Sequence, residues 1–191
     1  MALKPGERKT QILQTLATML EQPQGERITT AALAAKVGVS EAALYRHFAS
    51  KAQMFEALIE FIEESVFTLV NQISQTERDG RAQVQQIVSM LLNFAEKNPG
   101  MVRVLIGDAL VNEDARLQVR INQLVDRVES SLKQALQLGN VASPGATSAS
   151  TAAYANALTA FVVGRWQLYA KSGFKRAPSE YWTEQAALFR V

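Results

Sequence analysis

One short segment of the chain combines small side chains with side chains that donate hydrogen bonds. Its outward residues, taken as a helix, are Glu41, Ala42, Ala43, Tyr45, Arg46 and His47. Small residues let a helix approach the edges of base pairs, and the three larger donors can reach phosphate oxygens. The segment therefore predicts contact with a nucleic acid, provided that neighbouring elements hold it in a groove.

The residues before this segment predict a first helix and a sharp turn. Thr29 or Thr30 supplies a hydroxyl for the helix N-cap. Three apolar residues follow at helical spacing, namely Leu33, Ala34 and Val37. Gly38 then permits the positive φ that a sharp turn needs. These features predict a short helix that ends at the glycine.

The residues after the turn predict a second short helix and the start of a longer one. Ser40 provides the N-cap hydroxyl, and Leu44 and Phe48 form the inward face. Ser50 and Gln53 have the spacing of a capping box, which begins the next helix. Two short helices joined by a glycine turn describe a helix-turn-helix, whose second helix can enter a major groove. The same pattern fits a packed helix pair in any all-helical protein, so by itself it leaves both interpretations open.

The composition favours a folded protein without membrane-spanning or disulfide-bonded parts. The 191 residues suffice for one domain or two small ones, and the 48% of hydrophobic residues occur in groups too short to cross a bilayer. Cysteine is absent, which excludes disulfides, thiolate catalysis and cysteine–zinc sites. The N-terminal MALKPGERK has no apolar signal segment. We therefore expect a cytoplasmic protein with no membrane partner.

The charge is distributed unevenly along the chain. Residues 1–51 hold seven Lys or Arg against four Asp or Glu, a balance of +3, and the remainder holds 13 against 14, a balance of −1. A basic N-terminal part is suited to phosphate binding, although surface charge often has no partner. A first helix over residues 8–20 would place Lys4, Arg8 and Lys9 near a DNA backbone.

The residues needed for catalysis or metal binding do not occur together. His47 is the single histidine, so a histidine-rich metal site cannot form. The chain has neither a phosphate-binding Gly-Lys-Ser/Thr loop nor a Gly-x-Ser-x-Gly motif. The adjacent carboxylates Glu63–Glu64 and Glu113–Asp114 are expected to be solvated. We predict no enzyme activity, no catalytic residue, no metal and no cofactor.

Apolar periodicity predicts helices along the rest of the chain and no strands. The predicted helices are residues 8–20, about 51–73, 81–97, about 101–110, 114–138, 151–171 and one beginning at Ser179. Breaks are predicted at residues 23–25, 76–80 and 98–100, and the uncharged residues 139–150 are predicted to form a flexible loop. The predicted fold class is all-α.

Two long helices predict a homodimer. Residues 114–138 carry a nearly heptad-spaced apolar seam, and residues 151–171 carry an apolar side with several aromatic residues. This surface could form a four-helix interface with a second copy, although packing inside one subunit would use some of it. Two helix-turn-helix copies on a two-fold axis read major-groove faces ~34–36 Å apart. The expected ligand is therefore a palindromic site in double-stranded DNA.

The run GVSEAALYRHFASKAQMFEA resembles the signature of the TetR family, which reads roughly Gly-Val-Ser, a small pair, Leu-Tyr-x-His-Phe and Ser-Lys. The resemblance implies a three-helix helix-turn-helix domain at residues 1–50 and a helical dimerisation and partner-binding body at 51–191. The DNA-contacting positions that it implies are Thr29, Thr30, Ser40, Ala42, Ala43, Tyr45, His47 and Lys51. In this pattern the threonines meet the backbone, Ser40 and the alanines approach bases or phosphates, and the last three residues bind phosphates.

A second resemblance is to the nucleoid occlusion factors, a group within that family. It is carried by LIEFIEES, FAEKNPGMVRVLIGDAL, RLQVRINQLVDRVE and SGFKRAP. The resemblance implies a DNA-bound dimer that contacts the tubulin-like protein FtsZ through Phe61, Lys97 and Asn98, and that inhibits FtsZ polymerisation and septum assembly over the nucleoid. The chain departs from that group at Leu69, where the group has a basic residue, and in the uncharged loop. The alternative implied by the wider family is a repressor released from DNA by a small molecule.

Overall fold

The computed structural model describes residues 6–22, 28–139 and 148–191. Every regular element in these residues is helical, which confirms the predicted all-α class. In chain order the helices are α1 (Glu7–Leu20), α2 (Thr30–Val37), α3 (Glu41–Tyr45), α4 (Lys51–Thr76), α5 (Gly80–Lys97), α6 (Pro99–Leu105), α7 (Ala115–Leu138), α8 (Ser148–Lys171) and α9 (Trp182–Leu188). A 3₁₀ turn, Asp108–Leu110, follows α6. No helix in these described ranges is long and apolar enough to cross a membrane.

The described residues pack as two compact units. The first comprises those within Met1–Ile62 together with Asn98–Ile121, and the second comprises Glu63–Lys97 together with those within Asn122–Val191. Both α4 and α7 contribute residues to each unit because the divisions fall inside these helices. The predicted division of the chain between residues 50 and 51 stays a prediction.

The first unit is built on α1, whose apolar face is buried as its spacing predicts. Ile12, Leu16 and Leu20 on this face are almost inaccessible to solvent. Helix α6 lies so close to α1 that a methyl group added at Gly100 would come within 1.9 Å of the carbonyl oxygen of Ala17. Arg103 of α6 reinforces the contact by donating to the carbonyl oxygen of Gln22 at 3.1 Å. The absence of a side chain at residue 100 therefore allows α6 to dock on α1.

The second unit is held together by hydrogen bonds from buried aromatic residues. Trp166 of α8 is buried, and its Nε1 donates to the carbonyl oxygen of Leu91 in α5 at 3.2 Å. The Tyr169 hydroxyl donates to the carbonyl oxygen of Glu96 at 3.3 Å. The Glu96 carboxylate accepts the backbone N–H of Ser179 at 2.7 Å. These bonds fix the C-terminal turn of α5 because buried donors and acceptors are costly to leave unpaired.

Several predicted helix limits differ from the structure, and the break predicted at 98–100 is wrong in part because α6 already begins at Pro99. The helix predicted over residues 101–110 divides into α6 and the 3₁₀ turn because Gly107 adopts a left-handed φ of 79°. The last helix begins at Trp182, since Tyr181 before it also has a left-handed φ, of 66°. Helix α8 begins at Ser148, earlier than predicted. The predicted break at 23–25 and positions 140–147 of the predicted loop lie outside the described residues.

The apolar seam of α7 is used inside the subunit. All six of its members are at most 2% exposed: Leu117, Ile121, Leu124, Val128, Leu132 and Ala135. Of the two uses that the sequence left open for this surface, the seam itself has the second, namely packing inside one subunit. A heptad-like spacing marks an apolar face, and it does not distinguish a partner helix in the same chain from one in another.

Candidate nucleic-acid interface

The two short helices of the candidate interface begin at hydroxyl caps. Thr29 is the N-cap of α2, where its Oγ1 accepts the N–H of Ala32 at 3.1 Å, and Ser40 is the N-cap of α3, where its Oγ accepts the N–H of Ala43 at 3.2 Å. Gly38 has the predicted left-handed conformation, with a φ of 78°. Each capping hydroxyl keeps its own proton, so it can also donate to a phosphate.

Helix α3 presents small residues outward and is anchored by large residues inward. Ala42 is exposed and Ala43 is half-buried, while Leu44 and Phe48 on the other side are buried as predicted. The anchored side fixes the rotation of the helix, so the alanine side faces away from the core. The small side chains at these two positions let this part of the helix lie close to base edges.

The helix is shorter than the sequence predicts. It ends at Tyr45, and the backbone N–H groups of His47 and Phe48 both donate to the carbonyl oxygen of Leu44. Arg46 and His47 therefore lie in the turn after α3 and not on its outward face, with Arg46 exposed and His47 half-buried. The guanidinium is thus accessible to phosphate from a turn position.

Four of the predicted phosphate contacts lie together in the first unit. The Tyr45 hydroxyl lies 3.4 Å from the Thr30 hydroxyl, across 15 residues of sequence. Thr29, Thr30 and Lys51 line one surface recess with apolar residues of α1, α2 and α4. The hydroxyl groups of Thr29 and Thr30 at the start of α2 therefore lie near the Lys51 ammonium group at the start of α4, and the Tyr45 hydroxyl at the end of α3 lies beside that of Thr30.

The first turn of α4 is fixed by its cap. The backbone N–H of Gln53 donates to the Ser50 hydroxyl at 3.2 Å, as the capping-box spacing predicts. The Gln53 side chain accepts from the N–H of Ala49 at 2.8 Å and not from that of Ser50, so the box closes one residue earlier than expected. Lys51 follows the cap directly and is the first residue of the helix.

The ammonium group of Lys51 is already paired. Its Nζ forms an ion pair with the carboxylate of Glu113, and it also lies 5.7 Å from the centre of the Phe55 ring. The expectation that Glu113 is solvated is wrong, because its side chain is only 10% exposed. Sequence reasoning missed this contact since 62 residues separate the partners and no local pattern links them.

Basic residues of α1 also lie in the first unit. Lys9 Nζ is 5.7 Å from the centre of the Phe48 ring, and Arg8 donates to the Gln11 side chain at 2.7 Å. The contact with the Phe48 ring holds the positive charge of Lys9 close to α3. Lys4, the third residue expected here, lies outside the described part of the chain.

The residues expected to contact a protein partner differ in exposure. Phe61 is 47% exposed, whereas its neighbours on α4, Leu58 and Ile62, are 1% and 0% exposed, so Phe61 is not a core residue. Lys97 is exposed at the last residue of α5, and Asn98 is half-buried where α6 begins. Leu69 on α4 is also exposed.

Two family models match the chain. Residues 17–58 match the model of bacterial regulatory proteins of the tetR family, and residues 78–191 match that of the tetracyclin repressor-like C-terminal domain. The chain therefore belongs to the TetR family, and it is a DNA-binding regulator, not an enzyme. The family and the TetR-like fold predicted from the sequence are both confirmed.

Named relatives show which group of proteins within the TetR family the chain is similar to. The chain is 53% identical over 185 residues to a protein from Marinomonas sp. (strain MWYL1) named nucleoid occlusion factor SlmA, covering 97% of this chain and 94% of the relative. It is 51% identical over 189 residues to the protein of the same name from Alteromonas mediterranea, covering 99% and 97%. The similarity thus extends over the helix-turn-helix and the helices that follow it.

Solved structures agree on the fold. The MbdR regulator from Azoarcus sp. CIB superimposes with a TM-score of 0.78 at 14% identity, covering 95% of this chain and 96% of that one. A TetR transcriptional regulator from Legionella pneumophila superimposes with a TM-score of 0.74 at 15% identity, covering 100% and 97%. These proteins share the helical architecture at low sequence identity.

Proposed function

We propose that this protein binds palindromic DNA as a homodimer and, in that state, inhibits FtsZ polymerisation so that no division septum assembles over the nucleoid. The proposal places the protein in the cytoplasm, associated with the nucleoid. The observation that carries it is the near-complete match to relatives named nucleoid occlusion factor SlmA, which includes the body at 78–191. A match limited to the helix-turn-helix would support DNA binding alone.

The DNA-binding part of the proposal assigns two kinds of contact. Ala42 and Ala43 of α3 lie against base edges, where their small side chains allow close approach. The capping hydroxyls of Thr29 and Ser40 and the neighbouring Thr30 hydroxyl donate to the DNA backbone. The phosphate-binding side chains are Tyr45, Arg46, His47 and Lys51. Because the cations Arg46 and Lys51 of each subunit neutralise phosphates and so release counterions, affinity should fall steeply as salt rises.

The dimer part of the proposal uses the outer face of α8. Residues 148–164 of this helix include no charged side chain. One side packs inward through Ala155, Leu158 and Val162, and the opposite side exposes small residues, namely Ala153, Ala157, Ala160 and Gly164. The solvent-facing side of a surface helix usually carries charged and polar residues, so an exposed side made of small, uncharged residues favours a partner. Small residues there would let a second copy of α8 approach closely.

The FtsZ part of the proposal uses Phe61 in the middle of α4, together with Lys97 and Asn98 where α5 ends and α6 begins. Phe61 is a large apolar side chain at the surface of α4, and such side chains serve as anchors in protein interfaces. Lys97 offers a cation at the exposed end of α5, whose last turn is held by Glu96 and Tyr169. Asn98 follows directly, and its carbonyl oxygen accepts two backbone N–H groups of α6. Leu69 contributes an apolar contact in place of a basic one.

Sedimentation of FtsZ polymers tests this function. The probe is a duplex selected by the protein from a randomised pool, with a scrambled duplex of equal length as its control. We expect the protein with the selected duplex to lower the GTP-dependent FtsZ pellet, and the scrambled duplex to leave the pellet nearly unchanged. An unchanged pellet with both duplexes would reject the proposal. Release of the selected duplex by a cell metabolite extract, with no effect on FtsZ, would instead favour the ligand-responsive repressor.

Two variants with matched controls locate the FtsZ contact. Phe61→Ala and Lys97→Ala should weaken the effect on the pellet while affinity for the selected duplex is kept. Leu188→Ala removes another exposed apolar side chain, and Lys171→Ala removes another exposed lysine at a helix end. Both controls should behave like the unaltered protein. Equal losses in test and control variants would show that the proposed residues are not the contact.

A further inference from the structure

The ion pair between Lys51 and Glu113 lies where a phosphate is expected to bind. Lys51 lines the same recess as Thr29 and Thr30, and the Tyr45 hydroxyl is 3.4 Å from that of Thr30. The Lys51 side chain is 21% exposed and that of Glu113 only 10% exposed. One of the cations assigned to phosphate binding is thus neutralised by a carboxylate of the same chain.

The segment that carries Glu113 is anchored on both sides. Before it, Leu110 is buried, and Arg103 pairs with Asp108 at 2.7 Å while donating to the carbonyl oxygen of Gln22. After it, α7 begins at Ala115, and Leu117 is buried. The carboxylate therefore has a fixed position, whereas Lys51 has a long flexible side chain and can exchange partners.

We propose that Glu113 competes with DNA phosphate for the Lys51 ammonium group and thereby limits the DNA affinity of the free protein. On binding, the ammonium exchanges the carboxylate for a phosphate oxygen, and the carboxylate is left close to the negative charge of the duplex. Both the exchange and the repulsion oppose binding, and neither depends on base sequence. This inference rests on the proposed phosphate contact of Lys51.

The test is the affinity of Glu113→Gln for DNA, measured by fluorescence anisotropy at moderate salt. Glutamine keeps the shape of the side chain and removes its charge. We expect binding to tighten about two- to fivefold per subunit, the range that corresponds to a partly exposed ion pair. The gain should be equal on the selected duplex and on a scrambled one, because the competition concerns phosphate alone.

The adjacent Asp114 supplies the matched control. Its carboxylate bonds the Arg116 guanidinium at 2.8 Å, and these hydrogen bonds lower the pKa of Asp114 to about 2, so it is charged in any ordinary assay buffer. Asp114→Asn therefore removes the same charge one residue away without touching Lys51. The control should tighten binding far less than Glu113→Gln. Equal gains in both variants would mean that general charge, and not competition for Lys51, sets the affinity.

Lys51→Gln separates failure of this inference from failure of the assigned role of Lys51. Lys51→Gln should weaken binding, and adding Glu113→Gln to it should then tighten binding only about as much as Asp114→Asn does, because the repulsion remains while the competition for Lys51 is gone. If Lys51→Gln leaves affinity unchanged, Lys51 is not a phosphate contact. If Lys51→Gln weakens binding but Glu113→Gln leaves it unchanged or weakens it, the competition is rejected and Lys51 keeps its role. If Glu113→Gln lowers the thermal unfolding midpoint, Glu113→Asp is measured as a second variant. Aspartate keeps the charge but holds the carboxylate farther from Lys51, so DNA binding should again become tighter.

Discussion

At the scale of single residues, several side chains of the candidate interface have two roles. Thr29 and Ser40 satisfy backbone N–H groups at the starts of α2 and α3, and the same hydroxyls are proposed to donate to DNA. The cap is a local requirement with a known spacing, so it could be predicted from the sequence. The pairing of Lys51 with Glu113 depends on how segments distant in the sequence pack together, so it could not be predicted from the sequence.

The Tyr45 hydroxyl gives the first prediction. Tyr45→Phe keeps the ring and removes only the group that is close to Thr30 and is proposed to bond a phosphate. Since a hydrogen bond to a charged group contributes about 1.5–3 kcal/mol, affinity should fall roughly tenfold or more per contact, and equally on selected and scrambled duplexes. Fluorescence anisotropy measures this loss.

A second exposed tyrosine serves as its control. Tyr181→Phe removes a hydroxyl just before α9, in the second unit, and should leave DNA affinity unchanged. An unaltered affinity for Tyr45→Phe at moderate salt would remove the hydroxyl from the interface. A loss confined to the selected duplex would mean that the hydroxyl contacts a base and not a phosphate.

At the scale of the elements, most helix starts could be predicted and several ends could not. Gly38 and Ser40 mark the turn and the start of α3 because a left-handed φ and a capping hydroxyl are requirements of the local backbone. The helix ends at Tyr45, although apolar spacing continues to Phe48, because Phe48 packs into the core from the following turn. Periodicity shows which side is buried, and it does not show whether the backbone remains helical.

The contact between α1 and α6 gives the element-scale prediction. Gly100→Ala would place a methyl group 1.9 Å from the Ala17 carbonyl oxygen, so one of the helices must shift. Overpacking of this kind costs about 1–3 kcal/mol, which should lower the thermal unfolding midpoint by roughly 3–10 °C for a chain of this size. Circular dichroism during heating measures the midpoint. An unchanged midpoint would show that α6 is not held tightly against α1.

At the scale of the whole molecule, two copies are needed for the proposed binding mode. A single α3 reads one short half-site, and a dimer places two copies on successive major-groove faces. The α7 seam is used within the subunit, so the proposed interface depends on the outer face of α8. The sequence indicated two apolar helices, and the structure separates the residues that form the core from those left at the surface.

The α8 face gives the whole-molecule prediction. Ala160→Glu places a carboxylate in the middle of the exposed small residues, and burying it against a second copy would be costly. The dimer should dissociate at micromolar concentration in sedimentation velocity, and DNA affinity should fall with it. Ala115→Glu, which adds the same group at an exposed alanine at the start of α7, should leave the sedimentation coefficient unchanged. Equal behaviour of the two variants would reject α8 as the interface.

The most direct test of the account asks where α3 lies on DNA. The chain has no cysteine, so Ala42→Cys creates a single attachment point for an iron–EDTA group that cleaves nearby DNA, and Leu188→Cys provides an exposed control on α9. On the selected duplex, the Ala42 probe should cleave at two symmetry-related positions about one helical turn apart, ~34–36 Å, and the Leu188 probe should not. Cleavage at one position, or none from Ala42 while the complex is intact, would contradict the placement of α3 against base edges in two half-sites.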